Sequence, residues 1–142
     1  MGGLLSGERH GLTPPGFHVN NSPAHLLRRT DVAGRPFVLS TSNGTAVLAA
    51  LTDQPAVLVG CLMNAGAVAA AAVEIARARD LGIGVVCAGI LGRFDVEDAL
   101  AAGIIVERLL AVLGRSDPAR ADIHLGDGAI AARAIAAQSP DI

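Results

Sequence analysis

The fold is decided by the stretch PFVLSTSNGTAVLAAL, residues 36–51. The apolar run Phe37–Ser40 predicts a buried β-strand, and small polar residues follow it at 41–45. Asn43 or Thr45 can cap a helix that continues to about Leu51. The stretch therefore predicts a strand that passes through a polar loop into a helix, as in α/β proteins.

The same order recurs twice further along the chain. Residues 56–60, AVLVG, and residues 84–88, GVVCA, are continuous apolar runs, as expected of strands covered on both faces. Asn64 opens a predicted helix to about Asp80, and Asp95 opens another through Leu113. The alternation predicts one domain over residues 1–142, an α/β fold with three α/β/α layers and a mainly parallel sheet.

Two further helices complete the prediction. A short one starts at Ser22 or Pro23 and ends near Gly34, with proline favourable at the first helical position. An Ala-rich helix is predicted over residues 118–137.

Composition and charge exclude several classes of protein and partner. Of the 142 residues, 51% are hydrophobic and 17% charged, which indicates a packed core and excludes a disordered chain. The net charge is −2 and no basic stripe is present, so we expect no nucleic-acid partner. Charged and polar residues interrupt every apolar stretch, so we expect no membrane partner. Cys61 and Cys87 lie in or just after apolar runs, which favours a reduced, cytoplasmic protein.

Ligands of parallel sheets bind where the carboxyl ends of the strands meet, so the loops after the three predicted strands are the place to look. Loop 41–45 combines hydroxyls, an amide and backbone N–H groups at a helix start, which is typical of anion binding. The same residues also suit plain helix capping and a turn. Asn64 in the second loop is a candidate for substrate binding, although a plain N-cap role is the favoured explanation of this residue.

The third loop and the N-terminal segment add carboxylates. Asp95, Glu97 and Asp98 fall within four residues and suit a hard cation such as Mg²⁺, or a capped and solvated first turn. Glu8 lies in the segment GERHG. The histidines show no zinc-binding spacing. Anion-binding loops beside carboxylates predict a Mg²⁺-dependent phosphoryl-transfer or phosphate-ester site.

Several motifs occur in an order that resembles the 2-phosphosulfolactate phosphatase (ComB-like) family. They are GERHG (7–11), GFHVNNSP (16–23), VLSTSNGT (38–45), VLVGCLMNAGAVA (57–69), CAG (87–89) and FDVEDALAAG (94–103). The resemblance extends from about Gly7 to Ile105, with a weaker match at 127–132.

The resemblance implies a Mg²⁺-dependent hydrolase. Its reaction would convert 2-phospho-3-sulfolactate, a small anionic phospho-acid, to 3-sulfolactate and phosphate on a route to coenzyme M. The implied catalytic and metal-binding residues are Glu8, Glu97 and Asp98. The substrate-binding candidates, which would hold phosphate oxygens or the sulfonate, are Asn21, Ser22, Ser42, Asn43, Gly44, Thr45 and, from the second loop, Asn64.

The family also has an additional N-terminal segment with an Asp-x-x-Arg-Ala-Thr-Thr type motif, which these residues lack. We therefore expect a domain truncated at its N-terminus relative to the family, with weak or no activity alone. The alternatives are an inactive remnant, a phosphatase for another small phospho-acid, or a non-catalytic anion-binding or assembly module. In the last case the Ala-rich helices 64–80 and 118–137 would form a homo-oligomer interface.

Overall fold

The computed structural model describes residues 2–116 and 123–139. The chain forms two compact units, Met1–Asp53 and Gln54–Ile142, and each is described by itself. Whether the two units make a single domain, as the sequence predicts, stays a prediction.

The first unit is built on a pair of parallel strands. Strand β1, Leu4–Gly7, pairs with β2, Phe37–Ser40, with Leu4 opposite Phe37 and Gly7 opposite Ser40. Helix α1, Pro23–Leu27, lies between them in sequence, and Pro23 occupies the first turn as predicted. The sequence did not predict β1, because LLSG is short and lies among glycines that mask its pattern.

A third extended segment lies along the other edge of β1. The His18 N–H donates to the Leu5 carbonyl at 2.9 Å, and the Gly7 N–H donates to the Val19 carbonyl at 3.1 Å. These bonds satisfy the backbone of β1 on both edges, and Leu4 and Ser6 are fully buried.

The predicted strand and helix of the opening stretch are confirmed. Helix α2 runs Gly44–Ala50 with Asn43 at its N-cap position. The burial predicted for β2 is wrong, because Phe37, Val38 and Leu39 are 40%, 53% and 47% exposed. Only β1 pairs with β2, so its other edge has no strand beside it in the described part of this unit.

The second unit is a helical layer. A 3₁₀ turn, Leu62–Asn64, leads into α3, Ala65–Arg79, which is followed by α4, Val96–Ser116, and α5, Asp127–Ala136. Helix α4 packs against both α3 and α5. The core between α3 and α4 consists of Ala65, Ala69, Val73, Ile105 and Leu109. Small residues let the helices approach closely, as ridge-and-groove packing requires.

The helix boundaries follow local chemistry. The Asp95 carboxylate accepts the Glu97 N–H at 3.1 Å, which caps the start of α4 as predicted. Helix α3 ends as predicted at Asp80, which adopts the left-handed conformation common at helix ends. The last helix begins at Asp127 rather than at 118; residues 123–126 are not helical, and residues 117–122 lie outside the described part of the chain.

The predicted strands at 56–60 and 84–88 are wrong as paired strands. Both segments lack regular secondary structure and join no ladder among the described residues. A strand requires a neighbour, and an apolar run shows only that a segment would suit one. The α/β class is confirmed, with two parallel strands and five α-helices in the described residues, whereas the three-layer arrangement stays a prediction.

Of the helices that the structure describes, none combines the length and the apolar character needed to cross a membrane.

Candidate functional site

The first unit contains a polar cluster centred on Glu8. One Glu8 carboxylate oxygen accepts the Ser42 N–H at 2.6 Å, and the other accepts the Ser42 hydroxyl at 3.1 Å and the Gly11 N–H at 3.0 Å. Glu8 directly follows β1, and Ser42 follows β2 by two residues, so the parallel pairing brings them to the same edge. We call Glu8, Arg9, Gly11, Ser40 and Ser42 the Glu8–Ser42 cluster.

Backbone geometry makes the Gly11 N–H available. Arg9 and Leu12 exchange two backbone hydrogen bonds, and the two residues between them have positive φ, 53° at His10 and 79° at Gly11. This is the pattern of a tight type I′ turn, in which glycine has no steric penalty. The turn brings the Gly11 N–H back to the Glu8 carboxylate.

Hydrogen bonding sets the charge state of Glu8. Its pKa lies below the usual value, first because of the Gly11 N–H and then because of the Ser42 N–H and hydroxyl. Desolvation acts in the opposite direction, and Arg9 adds a still smaller electrostatic contribution that lowers the pKa. Donors aimed at the charged form of a carboxylate favour that form, so Glu8 is an anion at neutral pH.

Arg9 is a functional candidate that the sequence reasoning left out of its site. Its guanidinium donates to the Ser40 hydroxyl at 2.9 Å and to the Glu8 carbonyl at 2.8 Å. The side chain is exposed, so a fixed cation lies beside the loop after β2. The signal was present in the sequence, since Arg9 adjoins Glu8 within GERHG, but nothing local indicated that it reaches Ser40.

Loop 41–45 is closed by its own hydroxyls. The Thr41 N–H donates to the Thr45 hydroxyl at 3.2 Å, and that hydroxyl donates to the Thr41 carbonyl at 3.0 Å. Both donors of Ser42 point to Glu8. The loop is therefore preorganised, and Glu8 occupies donors that the sequence analysis assigned to a bound anion.

Asn21 and Ser22 lie between the segment beside β1 and helix α1. The Asn20 side chain accepts the Ser22 N–H at 3.1 Å, and the buried Ser6 hydroxyl donates to the Asn20 carbonyl at 3.2 Å. Ser22 occupies the N-cap position of α1, but its hydroxyl makes no capping bond. These contacts hold the backbone at Asn21 and Ser22 in place. Both residues lie in the first unit, which also contains the Glu8–Ser42 cluster.

The second unit places Glu97 and Asp98 in the first turn of α4. Asp98 is half-buried and accepts the Gly89 N–H at 2.6 Å, whereas Glu97 is exposed. Asp98 therefore ties the end of segment 84–88 to α4. Partial burial, and secondarily the Asp98 charge, raises the pKa of the Cys87 thiol.

Asn64 closes the loop that precedes α3. Its side-chain oxygen accepts the Cys61 N–H at 2.7 Å, and its side-chain nitrogen donates to the Val59 carbonyl at 3.0 Å. It occupies the N-cap position of α3 without a side-chain capping bond. Its side-chain hydrogen bonds are thus local and structural.

The candidate metal ligands fall in different units, Glu8 in the first and Glu97 and Asp98 in the second. Within residues 2–116 and 123–139, no three His, Cys, Asp or Glu side chains form a group that could hold a metal ion. The proposed ligand set stays a prediction.

An apolar cavity of about 1200 Å³ lies among α3, α4 and α5 in the second unit. Its lining includes Val85, Phe94, Val106 and Leu110. Asn64, Glu97 and Asp98 do not line it, so this cavity is not the site that the sequence predicts.

Comparisons with known proteins place the chain in a family. The family model described as 2-phosphosulpholactate phosphatase matches residues 1–142. A probable 2-phosphosulfolactate phosphatase of Deinococcus radiodurans is 44% identical over 128 residues, covering 89% of this chain and 48% of the relative. A protein of the same description from Thermus thermophilus is 40% identical over 139 residues, covering 97% of this chain and 54% of the relative.

A relative from Methanothermobacter thermautotrophicus is named 2-phosphosulfolactate phosphatase. It is 46% identical over 105 residues, covering 74% of this chain and 42% of the relative. The chain thus spans about half the length of the curated relatives it matches. The match over the whole sequence confirms the resemblance carried by the motifs, and the chain belongs to the 2-phosphosulpholactate phosphatase family.

Proposed function

We propose that this chain carries part of the active site of a phosphatase that hydrolyses 2-phospho-3-sulfolactate to 3-sulfolactate and phosphate. One structural observation supports the proposal in addition to the family match. Glu8 and Ser42, 34 residues apart and in two separate family motifs, meet in one hydrogen-bonded cluster with a cation beside it. Polar groups from different loops converge there at the end of a parallel strand pair, where α/β proteins bind ligands.

The residues of this cluster have distinct proposed roles. Phosphate-ester hydrolysis needs an aligned water and neutralisation of the charge that develops on the phosphoryl oxygens. Arg9 would supply that neutralisation, because its guanidinium is exposed, always charged and already fixed by Ser40. Asn43, Gly44 and Thr45 would hold phosphate oxygens, with Asn21 and Ser22 as further candidates.

Glu8 would act as a positioning residue for the loop that contains Ser42. Its carboxylate accepts both Ser42 donors, so it holds the loop in place through charge-assisted hydrogen bonds. A substrate phosphate that took over those donors would displace a carboxylate, which is also an anion. Glu8 therefore also keeps the loop in an anion-binding form before substrate arrives.

We propose Mg²⁺ as the cofactor because the donor chemistry fits it. Carboxylate oxygens are the ligands that this hard cation prefers, and Glu97 and Asp98 are adjacent on the first turn of α4. When bound, the ion would neutralise negative charge on the substrate. Asp98 would have to exchange its bond to Gly89 or coordinate through its other oxygen. Glu8 stays a proposed third ligand.

We further propose a role in coenzyme M biosynthesis, a cytoplasmic location, a three-layer α/β/α fold and homo-oligomerisation. Both cysteines are free, which suits a reducing compartment. The alternatives are a phosphatase for another small phospho-acid and a non-catalytic anion-binding module.

Ligand-dependent stability tests the proposal. We expect 2-phospho-3-sulfolactate with Mg²⁺ to raise the melting temperature of the 142-residue chain, since a ligand that binds only the folded state stabilises it. Phospholactate, which lacks the sulfonate, should raise it less. Equal shifts from the two compounds would favour the alternative substrate, and no shift with either would contradict the proposed site.

Phosphate release is the companion measurement. Because the chain spans about half of its relatives' length, we expect weak or no turnover from it alone. Hydrolysis of 2-phospho-3-sulfolactate at an ordinary enzymic rate of about 1–1000 per second would show that this half suffices.

A further inference from the structure

The edge of β1 that faces away from β2 is completed partly by the side chain of His18. Alternate residues of a strand turn their N–H groups to opposite edges. On this edge the Gly7 N–H donates to the Val19 carbonyl at 3.1 Å, as in a regular ladder. The Leu5 N–H donates instead to His18 Nδ1 at 2.9 Å. An imidazole nitrogen thus occupies the place that a backbone carbonyl takes elsewhere along this edge.

The hydrogen bond from Leu5 fixes the protonation state of the His18 ring. A neutral imidazole has one N–H donor and one acceptor nitrogen, whereas an imidazolium has two donors and no acceptor. Because Nδ1 accepts the Leu5 N–H, the proton of the neutral ring lies on Nε2. Protonation of the ring would place an N–H group at Nδ1 against the Leu5 N–H, and the hydrogen bond would be lost.

The charged groups around His18 keep their charge where a histidine titrates. Strand β1 contains no titratable side chain. Among the described residues, Arg29 donates to the His18 carbonyl at 3.5 Å, and Asp31 is paired with Arg29 at 2.7 Å. The hydrogen bond from Arg29 lowers the pKa of Asp31. Neither of these two residues therefore changes charge between about pH 5 and 8, whereas an exposed imidazole does.

His18 lies between two parts of the proposed site. On one side, β1 leads directly into Glu8, whose carboxylate accepts both Ser42 donors. On the other side, the segment that contains His18 leads directly to Asn21 and Ser22. A hydrogen bond lost at this edge would therefore loosen the support of both parts.

We propose that His18, as a neutral ring protonated at Nε2, is a positioning residue that makes the Glu8–Ser42 cluster sensitive to pH. The hydrogen bond from Leu5 is present while the ring is neutral. It is lost as the pH falls through the range in which histidines take up a proton, from about 8 to 5. The consequence for a substrate rests on the proposed function, whereas the hydrogen bonds themselves do not.

Nitrogen-15 NMR of the 142-residue chain tests the geometry of the ring. At pH 8 we expect His18 Nδ1 to be unprotonated and Nε2 to carry the proton. We also expect a scalar coupling between Nδ1 and the Leu5 amide nitrogen, since such couplings cross a hydrogen bond. A neutral ring with its proton on Nδ1 would overturn the proposal, because that nitrogen could not accept the Leu5 N–H.

Amide exchange of Leu5 and Ser42 at pH 8 and pH 5 tests the pH dependence. Each rate is divided by that of an unprotected amide at the same pH, which removes the intrinsic pH dependence of exchange. We expect the protection of Leu5 to fall at least about threefold on going to pH 5, and that of Ser42 to fall by a smaller factor. Glu8 stays charged over this range, because its pKa lies below the usual value of about 4.3.

Three variants separate His18 from other causes. His18→Asn retains a side-chain acceptor that does not titrate, so Leu5 should keep its pH 8 protection at both pH values. His18→Leu has no acceptor and should show reduced protection at both. His25→Asn makes the same exchange at an exposed histidine of α1 and should retain the pH dependence of the parent chain.

Several results would overturn the proposal. Equal protection of Leu5 at pH 8 and pH 5 in the parent chain, or an equal fall in His18→Asn, would show that the ring is not the pH-sensitive acceptor. A fall at Leu5 with unchanged protection of Ser42 would confine the effect to one edge of β1 and exclude a positioning role. Loss of the pH dependence in His25→Asn would assign it to the wrong histidine.

Discussion

The two units of this chain are stabilised in different ways. Residues 2–53 rely on polar and backbone pairing: two parallel strands, the Glu8–Ser42 cluster, and Asp31 bridged to Arg29 at 2.7 Å and to Arg35 at 2.9 Å. Helices α1 and α2 have no buried residues. In residues 54–139, by contrast, buried alanines and aliphatic side chains hold α3, α4 and α5 together.

The difference shows which half of an α/β fold can form from local sequence. Helices satisfy their own backbone, so α3 and α4 need only each other's apolar faces to pack. Strands depend on neighbours distant in sequence, and segments 56–60 and 83–88 pair with no strand within their described unit. The described part of this unit therefore consists of packed helices and of two apolar segments without regular secondary structure.

Substitution of Gly103 should have the largest effect on stability, because α4 leaves no room for a side chain there against α5. A β-carbon there would overlap the Ala132 carbonyl and lie 2.8 Å from the Ala136 β-carbon. We expect Gly103→Ala to separate α4 from α5 and to lower the free energy of unfolding by about 1–3 kcal/mol. Urea unfolding followed by circular dichroism measures this.

Gly114 is the matched control on the same helix. A β-carbon at Gly114 would have no atom within 4 Å apart from its chain neighbours and the backbone of its own helix, so alanine there should stabilise α4 by about 0.5–1 kcal/mol. Equal midpoints for the two variants would show that α4 and α5 are not packed as described.

Gly7 tests the strand pair of the other unit. A β-carbon there would overlap the Ser40 carbonyl and lie 2.9 Å from a ring carbon of Phe17. We expect Gly7→Ala to cost about 1–2 kcal/mol, toward the lower end of the overpacking range, because four-residue strands can shift more easily than packed helices. Amide exchange should become faster in β1 and β2.

Gly2→Ala is the control for this substitution, since a β-carbon added there would have no non-neighbouring atom within 4 Å. Equal exchange of the β1 and β2 amides in Gly7→Ala and Gly2→Ala would contradict the close approach of the two strands at Gly7.

Glu8 gives a smaller, pH-dependent effect. Its pKa is lowered by donors from Gly11 and Ser42, so its stabilisation is present above the ordinary glutamate value of about 4.3 and is lost as pH falls through the lowered folded value. We expect Glu8→Gln to lower the melting temperature at pH 7 and to match the parent chain near pH 2. A difference that persists unchanged in acid would mean that the Glu8 charge is not responsible.

The ion pair between Arg133 and Glu107 should have the smallest effect. The nitrogen and oxygen are 2.6 Å apart, but the side chains are 37% and 51% exposed. Exposed pairs contribute about 0–1 kcal/mol and are screened by salt. A double-mutant cycle with Arg133→Gln and Glu107→Gln should give a coupling in that range that shrinks in about 1 M salt, where the screening length is only about 3 Å. A larger coupling would mean that α5 depends on charge as well as on packing.

The sequence predicted most of what is local and less of what is distant. Asp95 marks the start of α4, because capping depends on a few adjacent residues. Asn43 lies at the N-cap position of α2, one of the two positions predicted, but its side chain makes no capping bond. Strand β1 was not predicted, because its four residues of mixed character show no periodic pattern of hydrophobicity. The strands predicted at 56–60 and 84–88 were wrong, because an apolar run does not show whether a neighbouring strand is present.

In the candidate site, too, local features were predicted and contacts between distant residues were not. The motifs that contain Glu8 and Ser42 were identified from the sequence, but their hydrogen bonds required the parallel register of β1 and β2. Arg9 was left out for the same reason, since its partner Ser40 lies 31 residues away. Residue types were predictable, whereas the contacts between distant residues were not.

The most direct test of the proposed phosphate site is a calorimetric titration of the chain with 2-phospho-3-sulfolactate. We predict measurable binding, at least about tenfold weaker in Arg9→Gln, a loss of about 1.4 kcal/mol. Thr52→Ala, which removes an exposed hydroxyl just beyond the far end of α2, should bind like the parent chain. Equal affinity of the parent chain and Arg9→Gln, or no binding by the parent chain, would contradict a phosphate site at the Glu8–Ser42 cluster.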